Sequence, residues 1–423
     1  MTCENLFRSS LLLAAAVLAS GCVVHETRPL PQLQAIQATE EIPEEQLLDV
    51  GIRLFDPGIP EGLEDDPERI EKLRIYPEIR RAEARYMPTQ LRDTLEGTAQ
   101  WGAVRIVPGL VEAMDLIVTG RIVESNAARL ELAIRAEDST GRVWLDKAYE
   151  GAPDTRAYRQ GDVSGRDPFQ NVYVNIADDL LAARRALAAD DLRTVQRVTE
   201  VRFAAGFAPA AFDEYLAKDR RSGRYGLARL PAEGDPVFER VSAIRERDDA
   251  LVDTVSDGYA AFSEKLDEAY LNYRRFSYDE IVAEDKLKAQ ARTRMALGVL
   301  AVAAGVLIPD SCSSSDCARV VDAARYGAIA GGIYGVMSGI KKNEESKMHT
   351  ATLKEFAGSF QADAEPLVVE IEGRTLRLTG TAEEQYAEWR RLLHELYVED
   401  TGLVREAPVA GAAASSSATP GPG

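Results

Sequence analysis

The strongest constraint on the fold of this chain is a pair of apolar segments, Met295–Ile308 and Tyr326–Ile340, separated by a polar loop. The second segment carries glycines at strict four-residue spacing: Gly327, Gly331, Gly335 and Gly339. Glycines four residues apart share one face of a helix, so that a neighbouring backbone can approach closely along it. Charged helical sequence leads into the first segment and out of the second. The pattern therefore predicts a long helical hairpin over residues 237–363 with an apolar, glycine-lined end.

In an exposed helix, each of these glycines would destabilise the helix by roughly 0.5–1 kcal/mol relative to alanine. Two settings could compensate for this cost. One is burial in protein, against the other arm of the hairpin or in an oligomer. The other is the membrane. A segment of about 14 residues spans roughly 21 Å, short of the roughly 30 Å apolar core, which favours burial or partial insertion over an independent transmembrane helix.

Charged residues near the hairpin end leave both settings open. Basic residues flank both apolar segments at the same end, where they could meet anionic head groups: Lys286, Lys288, Arg292, Arg294, Lys341, Lys342 and Lys347. Against insertion, Asp310 and Asp316 in the loop would have to cross the bilayer.

The N-terminus has the features of a bacterial lipoprotein signal. Arg8 precedes a short apolar run, Leu11–Ala19, and the sequence LASGC that follows resembles a lipobox. The resemblance implies removal of residues 1–21 and lipid attachment to Cys22. The residue after Cys22 is Val23 and not an aspartate, as in lipoproteins that are sorted to the outer membrane. The resemblance therefore implies the periplasmic face of the outer membrane. Several acyl chains on one residue would anchor the chain firmly, at about 0.8 kcal/mol for each buried CH₂.

Two cysteines are left for the mature body. Cys3 departs with the signal, and Cys22 is taken by lipid, leaving Cys312 and Cys317 in the hairpin loop. That compartment permits disulfides, and the loop between them is short and rich in Ser and Asp, so we expect a disulfide rather than free thiols. The loop contains no histidine, and we predict no metal site.

Periodicity along the chain predicts an α+β fold: an N-terminal mixed sheet with helices on one face, then the long helical hairpin, then a small C-terminal β-hairpin plus helix. The predicted regions are a signal peptide (1–21), a lipidated tether (22–46), an α+β domain (47–152), a helical and loop connector (153–236), the hairpin (237–363), the C-terminal β-hairpin and helix (364–403) and a disordered tail (404–423).

One helix start is predicted from a proline, and two other details of this scheme are left open. Pro88 suits the first turn of a new helix. The proline-free run from Val237 to Ile308 predicts either one long amphipathic helix or two helices broken near Ser277. The two C-terminal strands predict either a separate hairpin or an addition to the first sheet.

The first domain resembles a known family. The segments VGIRLFDPG, LRDTLEGTAQWGAVRIVP and DLIVTGRIVES…RLELAIRAEDSTGRVWLDKAYEG are similar to the amino-terminal domain of CsgG-like curli-secretion lipoproteins, of the periplasmic Tol protein and of lipoprotein activators of peptidoglycan synthases. The resemblance covers about a quarter of the chain and implies assembly, oligomerisation or partner binding. It carries no catalytic residue.

The function we predict is therefore not enzymatic and uses no cofactor. A net charge of −19 argues against nucleic-acid partners, and the GxSxG, HExxH and P-loop patterns are absent from the sequence. We predict an outer-membrane lipoprotein that binds other envelope proteins or further copies of itself, as a structural subunit of an envelope assembly or secretion complex. The alternatives are a monomeric periplasmic regulator of a cell-wall synthesis enzyme and an oligomeric helical pore.

Overall fold

The computed structural model describes residues 30–109, 113–159, 166–306, 367–371, 374–378 and 381–401. Its strands are β1 (Val50–Arg53), β2 (Val104–Val107), β3 (Leu116–Ser125), β4 (Leu130–Asp138), β5 (Val143–Gly151), β6 (Leu216–Lys218), β7 (Tyr225–Leu227), β8 (Leu367–Ile371) and β9 (Arg374–Leu378). Its helices are α1 (Pro67–Leu73), α2 (Pro77–Glu96), α3 (Gln170–Arg185), α4 (Ala189–Phe207), α5 (Pro209–Phe212), α6 (Pro236–Val306) and α7 (Ala382–Thr401). The α+β fold predicted from the sequence is confirmed.

The central sheet is mixed and has the strand order β2-β1-β3-β4-β5. β1 pairs in parallel with both β2 and β3, whereas β3, β4 and β5 form an antiparallel meander. The parallel pairing of β1 with β2 requires a crossover, which α1 and α2 supply. The N-terminal domain is therefore a short parallel unit extended by a meander.

Alternation along the strands gives the sheet one covered and one open face. Residues such as Ile52, Val118 and Ile134 are at most 1% exposed and pack with α2, α3 and α6. On the opposite face, the side chains of Arg135 and Asp146 are 45% and 68% exposed and form an ion pair. The helices thus lie mainly over one face, as the alternation of apolar and polar residues predicts.

Helix α2 corrects one prediction. Pro88 does not begin a new helix but lies inside α2, fully within its 20 residues. Proline removes one backbone N–H and usually bends or breaks a helix. Here Pro88 is buried, and its neighbours Met87 and Leu91 are 0% exposed. Packing of this face against the core outweighs the lost hydrogen bond.

Helix α6 is continuous over 71 residues and has no break near Ser277. It runs beside the edge strand β2, where the hydroxyl of Ser256 accepts a hydrogen bond from the backbone N–H of Ile106 at 3.0 Å. Of the two arrangements predicted, the single long helix is the one observed. Within the described parts of the chain, none of the helices is both long and apolar enough to cross a membrane.

The C-terminal elements return to this long helix. β8 and β9 form a separate two-stranded hairpin rather than joining the main sheet. Along α7, Glu383 faces Tyr259 and Tyr397 faces Arg240, so that α7 runs antiparallel to the first part of α6. Helix α7 therefore lies beside the first part of α6.

Candidate functional site

The residues singled out from the sequence lie outside the described part of the chain. These are the lipidation residue Cys22, the disulfide pair Cys312 and Cys317, and the helix-packing glycines Gly327, Gly331, Gly335 and Gly339. The returning arm of the hairpin lies there as well. The structure does describe how the body holds residues 30–38 of the tether and the first part of the long helix.

Residues 30–38, within the predicted tether, are bound to the body without regular secondary structure, and we call them the docked segment. The side-chain amide of Asn171 accepts a hydrogen bond from the N–H of Leu33 at 3.0 Å and donates one to the carbonyl of Pro31 at 2.9 Å. An amide side chain offers the same donor and acceptor as a peptide group, so Asn171 acts toward this segment as a neighbouring strand would.

Further polar contacts hold the docked segment at both ends. Arg156 donates to the carbonyl of Leu30 at 2.6 Å, and Asp178 accepts from the N–H of Ile36 at 2.9 Å. Burial raises the pKa of Asp154, but hydrogen bonds from Arg156 and Gln32 outweigh this effect and hold the pKa below its ordinary value. Asp154 therefore stays charged and keeps Arg156 oriented toward the segment.

A buried polar group, the Glu83 cluster, fixes α6 to the body. Glu83 Oε1 accepts hydrogen bonds from Ser125 Oγ at 2.7 Å, from the Tyr270 hydroxyl at 2.7 Å and from Arg274 Nη2 at 3.3 Å. Arg274 also donates to the carbonyl of Asn126 at 3.3 Å. The Glu83 and Arg274 side chains are only 4% and 3% exposed. One ion pair thus joins α2, the end of β3 and α6.

Electrostatics keep the Arg274 guanidinium charged. Burial acts to lower the pKa of the Arg274 guanidinium, but Tyr270 and Glu83 outweigh burial and hold the pKa well above its ordinary value. The same guanidinium lies 4.7 Å from the ring of Phe169, which adds a cation–π contact. Because these groups are buried and engaged with one another, their arrangement is suited to holding a helix in place rather than to acting on a substrate.

Immediately beyond this cluster, α6 passes the place where the docked segment is held. The rings of Tyr278 and Tyr158 pack against each other in a tilted arrangement, with their centroids 5.1 Å apart and their planes 39° apart. Tyr158 is two residues from Arg156, which binds Leu30. From Tyr278 the helix continues for another 28 residues to Val306, or about 42 Å at 1.5 Å per residue.

A second charged group lies at the start of the parallel strands, beside a cleft of about 540 Å³ that Asp49 and Asp115 line. Asp115 is 4% exposed and accepts from the N–H of Asp49 and from the Thr199 hydroxyl, at 2.9 and 2.6 Å. Burial raises its pKa to about 6, and burial likewise raises the pKa of Asp249 to about 6. Arg105 lies 3.9 Å from Asp249.

Raised carboxyl pKa values are a property of acid–base sites, so this cleft is the strongest enzymatic candidate. Both oxygens of Asp115, however, are already hydrogen-bonded to protein donors. Among the described residues, no group of three or more His, Cys, Asp or Glu side chains is placed to hold a metal ion. The geometry is that of a charged junction between β1, β3, α4 and α6.

Helix α7 is docked by a third buried carboxylate, Asp248, which is 0% exposed. The Tyr386 hydroxyl donates to Asp248 Oδ2 at 3.0 Å, and Arg390 Nη1 lies 3.6 Å from the same oxygen. His394, which the sequence places as an isolated residue, lies with its ring 6.2 Å from that of Phe207 and lines a cleft of about 490 Å³ between α4 and α7.

Sequence reasoning did not find these clusters. Glu83, Asp115 and Asp248 occur in an acidic chain, where a carboxylate on a helix or at a strand end is expected to be solvated. One signal was available: Tyr270 belongs to the apolar stripe of α6, and Arg274 follows it by four residues, on the same helix face.

Comparison with known proteins gives no further assignment. No protein-family model matches the chain, and no curated protein and no solved structure matches it either.

Proposed function

We propose that this protein is a non-enzymatic lipoprotein of the periplasmic face of the outer membrane, held there by acylated Cys22. It acts as a structural subunit of an envelope assembly or secretion complex and binds other envelope proteins, further copies of itself among them. The resemblance of residues 47–152 to CsgG-like amino-terminal domains supports an assembly role.

The observation that carries this proposal is the length of α6. A helix of 71 residues is about 106 Å long. A compact body of about 250 residues has a radius of gyration near 18 Å. A body of that size covers only part of such a helix, and we infer that the remainder serves contacts with the returning arm or with other molecules.

The way in which α6 is held supports the same role. The buried Glu83 cluster fixes α6 where this helix passes the end of the sheet. Asp248, in the first turns of α6, fixes α7 beside them. A helix held rigidly by buried polar groups keeps a constant direction, which a subunit of an assembly requires and a flexible linker does not.

Cross-linking in intact membranes, followed by mass spectrometry, tests the assembly role. We expect cross-links from lysines of α6, such as Lys286 and Lys288, to other envelope proteins or to a second copy of the chain. Cross-links confined to single chains would contradict the proposal.

Membrane fractionation of Cys22→Ala tests the anchor. Without acyl chains, we expect the variant to be released when membranes are washed with high salt, whereas the wild-type protein stays bound. Retention of the variant to the same extent as the wild type would show that lipid on Cys22 is not the anchor.

A further inference from the structure

We propose that copies of this chain associate head to tail, through surfaces of opposite charge at the two ends of the central sheet. The positive surface is the basic hairpin, residues 216–230. It binds the acidic segment, residues 61–68, of a second copy. This inference rests on the assembly role proposed above, and it names the partner and the two surfaces that meet.

The basic hairpin concentrates positive charge on an acidic protein. It contains five basic residues and one acidic residue, whereas the whole chain has a net charge of −19. Arg229 pairs with Glu214 at 3.6 Å. The other four basic residues are exposed, and within the described parts of the chain they form no ion pair: Lys218, Arg220, Arg221 and Arg224. These four cations are therefore available to carboxylates of another molecule.

The hairpin is held rigidly and uses its own carboxylate within the turn. Asp219 Oδ1 accepts hydrogen bonds from the backbone N–H groups of Arg221 and Ser222 at 3.0 and 2.6 Å. The N–H of Tyr225 donates to the carbonyl of Thr140 at 2.8 Å, which fixes the hairpin to the turn between β4 and β5. Because Asp219 binds the backbone of the turn, it leaves the neighbouring arginines without an internal partner.

The acidic segment has the complementary composition. It contains no basic residue, and its five acidic residues are all exposed: Glu61, Glu64, Asp65, Asp66 and Glu68. Glu64 pairs with Arg81, and Asp66 accepts from the N–H of Arg69 at 3.0 Å. Glu61, Asp65 and Glu68 form no ion pair with any residue that the structure describes. These three carboxylates are therefore free to bind cations of a second copy.

The two surfaces lie at opposite ends of the sheet. The basic hairpin is bonded to Thr140, in the turn that follows β4. The acidic segment lies near the other end of β4: Glu64 pairs with Arg81, and two residues further along α2, Glu83 binds Ser125, which is opposite the first residue of β4. The nine residues of β4 span about 30 Å. The surfaces therefore cannot meet within one chain, and their contact requires a second copy.

Exposed apolar residues accompany the charges at each end. Leu230, in the basic hairpin, and Val143, just after the turn to which the hairpin is bonded, are 52% and 40% exposed. Leu73, at the end of α1, and Val123, near the end of β3, are 44% and 49% exposed and lie at the acidic end. Apolar residues bordered by charged ones are the usual composition of a protein–protein interface.

The position of the tether favours a second copy over the bilayer as the partner of the basic hairpin. Arg156 binds the carbonyl of Leu30, and the nearby Tyr158 hydroxyl donates to the carbonyl of Ala127 at 2.9 Å. Ala127 precedes β4, so the tether leaves the body at the end opposite to the hairpin. A contact between two different surfaces of identical chains is heterologous, and its repetition closes a ring or extends a filament.

Charge reversal in the whole protein, extracted in mild detergent, tests the contact. The hairpin variant carries Arg220→Glu, Arg221→Glu and Arg224→Glu. The segment variant carries Glu61→Lys, Asp65→Lys and Glu68→Lys, which leaves the ion pair of Glu64 and the hydrogen bond of Asp66 intact. Each variant places like charges opposite one another, so the dissociation constant from light scattering over a concentration series should rise by at least about tenfold.

A mixture of the two variants in equal amounts should associate again, because each reversed surface then meets a surface of opposite charge on the other variant. Recovery on mixing also shows that both variants are folded. The proposal is overturned if either variant associates as strongly as the wild type, or if the mixture does not recover.

The matched control reverses three exposed basic residues of α3 and α6: Arg185→Glu, Arg247→Glu and Lys265→Glu. Its net charge equals that of the hairpin variant, but its association should match that of the wild type. An equal loss of association in the control and the hairpin variant would show a general effect of net charge and overturn the proposal.

Two further outcomes separate this inference from the assembly role. A hairpin variant that keeps the wild-type mass but loses binding to vesicles containing phosphatidylglycerol would assign the basic hairpin to the bilayer. That result would overturn the head-to-tail contact and leave the assembly role standing. A wild-type protein that is monomeric in detergent and cross-links only within single chains in membranes would contradict both.

Discussion

At the scale of a single residue, Asp115 makes the stability of the body depend on pH. Its pKa is about 6 because burial disfavours the charged carboxylate and outweighs the hydrogen bonds from Thr199 and Asp49. A carboxyl whose pKa is raised by folding stabilises the protein fully below its unfolded value of about 4. That contribution is lost as the pH rises through about 6.

Asp115→Asn is expected to raise the free energy of unfolding at pH 7.5 by on the order of 1–3 kcal/mol, because the neutral amide is not ionised at any pH. The Thr199 hydroxyl also lies 3.0 Å from the carbonyl of Val195, so it can donate there and accept from the new amide. Urea unfolding at pH 4.5 and 7.5 measures the effect. The fall in stability between the two pH values should be smaller than in the wild type. Asp249 and other carboxyls whose pKa burial raises, such as Asp248 and Asp167, contribute to the remainder. An unchanged fall would contradict this account.

Glu83→Ala should destabilise the body by about 3–5 kcal/mol, because Arg274 is left buried without its carboxylate. Glu137→Ala is the matched control. It removes a carboxylate of a pair whose side chains are 44–45% exposed, and it should change stability by at most about 1 kcal/mol. Chemical unfolding measures both variants. Similar losses would mean that the Glu83 cluster does not hold α6.

At the scale of elements, much of the fold follows from sequence patterns. Strict alternation and short turns predict the meander β3–β5, and the stripe from Val241 to Tyr270 predicts α6. The three-residue strands β6 and β7 were not predicted, because they are too short to show a period. Pro88 was misassigned because its effect on a helix depends on the packing of the whole turn.

Gly258→Ala in α6 is expected to stabilise the protein by about 0.5–1 kcal/mol. An added Cβ there meets no atom within 4 Å, and alanine has the higher helix propensity. Thermal unfolding measures the change. A lower melting temperature would contradict this expectation.

Gly331→Leu and Gly335→Leu test the other glycines, which lie outside the described residues. We expect both to weaken assembly, because a large side chain would fill the groove that the four-residue spacing predicts. Detergent-extracted variants should dissociate at higher concentration than the wild type, whereas Gly258→Ala should not. Two neutral variants would mean that the spacing has no role in packing.

At the scale of the whole molecule, the order of the regions was predictable but their contacts were not. Docking of residues 30–38 depends on side chains such as Asn171 and Asp178, more than a hundred residues away along the chain. Periodicity reports only local structure, so it cannot reveal which surface receives an extended segment. The same holds for the antiparallel return of α7 onto α6.

The central claim is that this body works as a subunit, and the molar mass of the complex extracted in mild detergent tests it most directly. Size-exclusion chromatography with multi-angle light scattering, corrected for bound detergent, should give a defined mass of several chains or of the chain with its envelope partners. A mass equal to one mature chain, which is below the 46.3 kDa of the full sequence because residues 1–21 are removed, would contradict the claim and favour a monomeric regulator if it is unchanged with concentration.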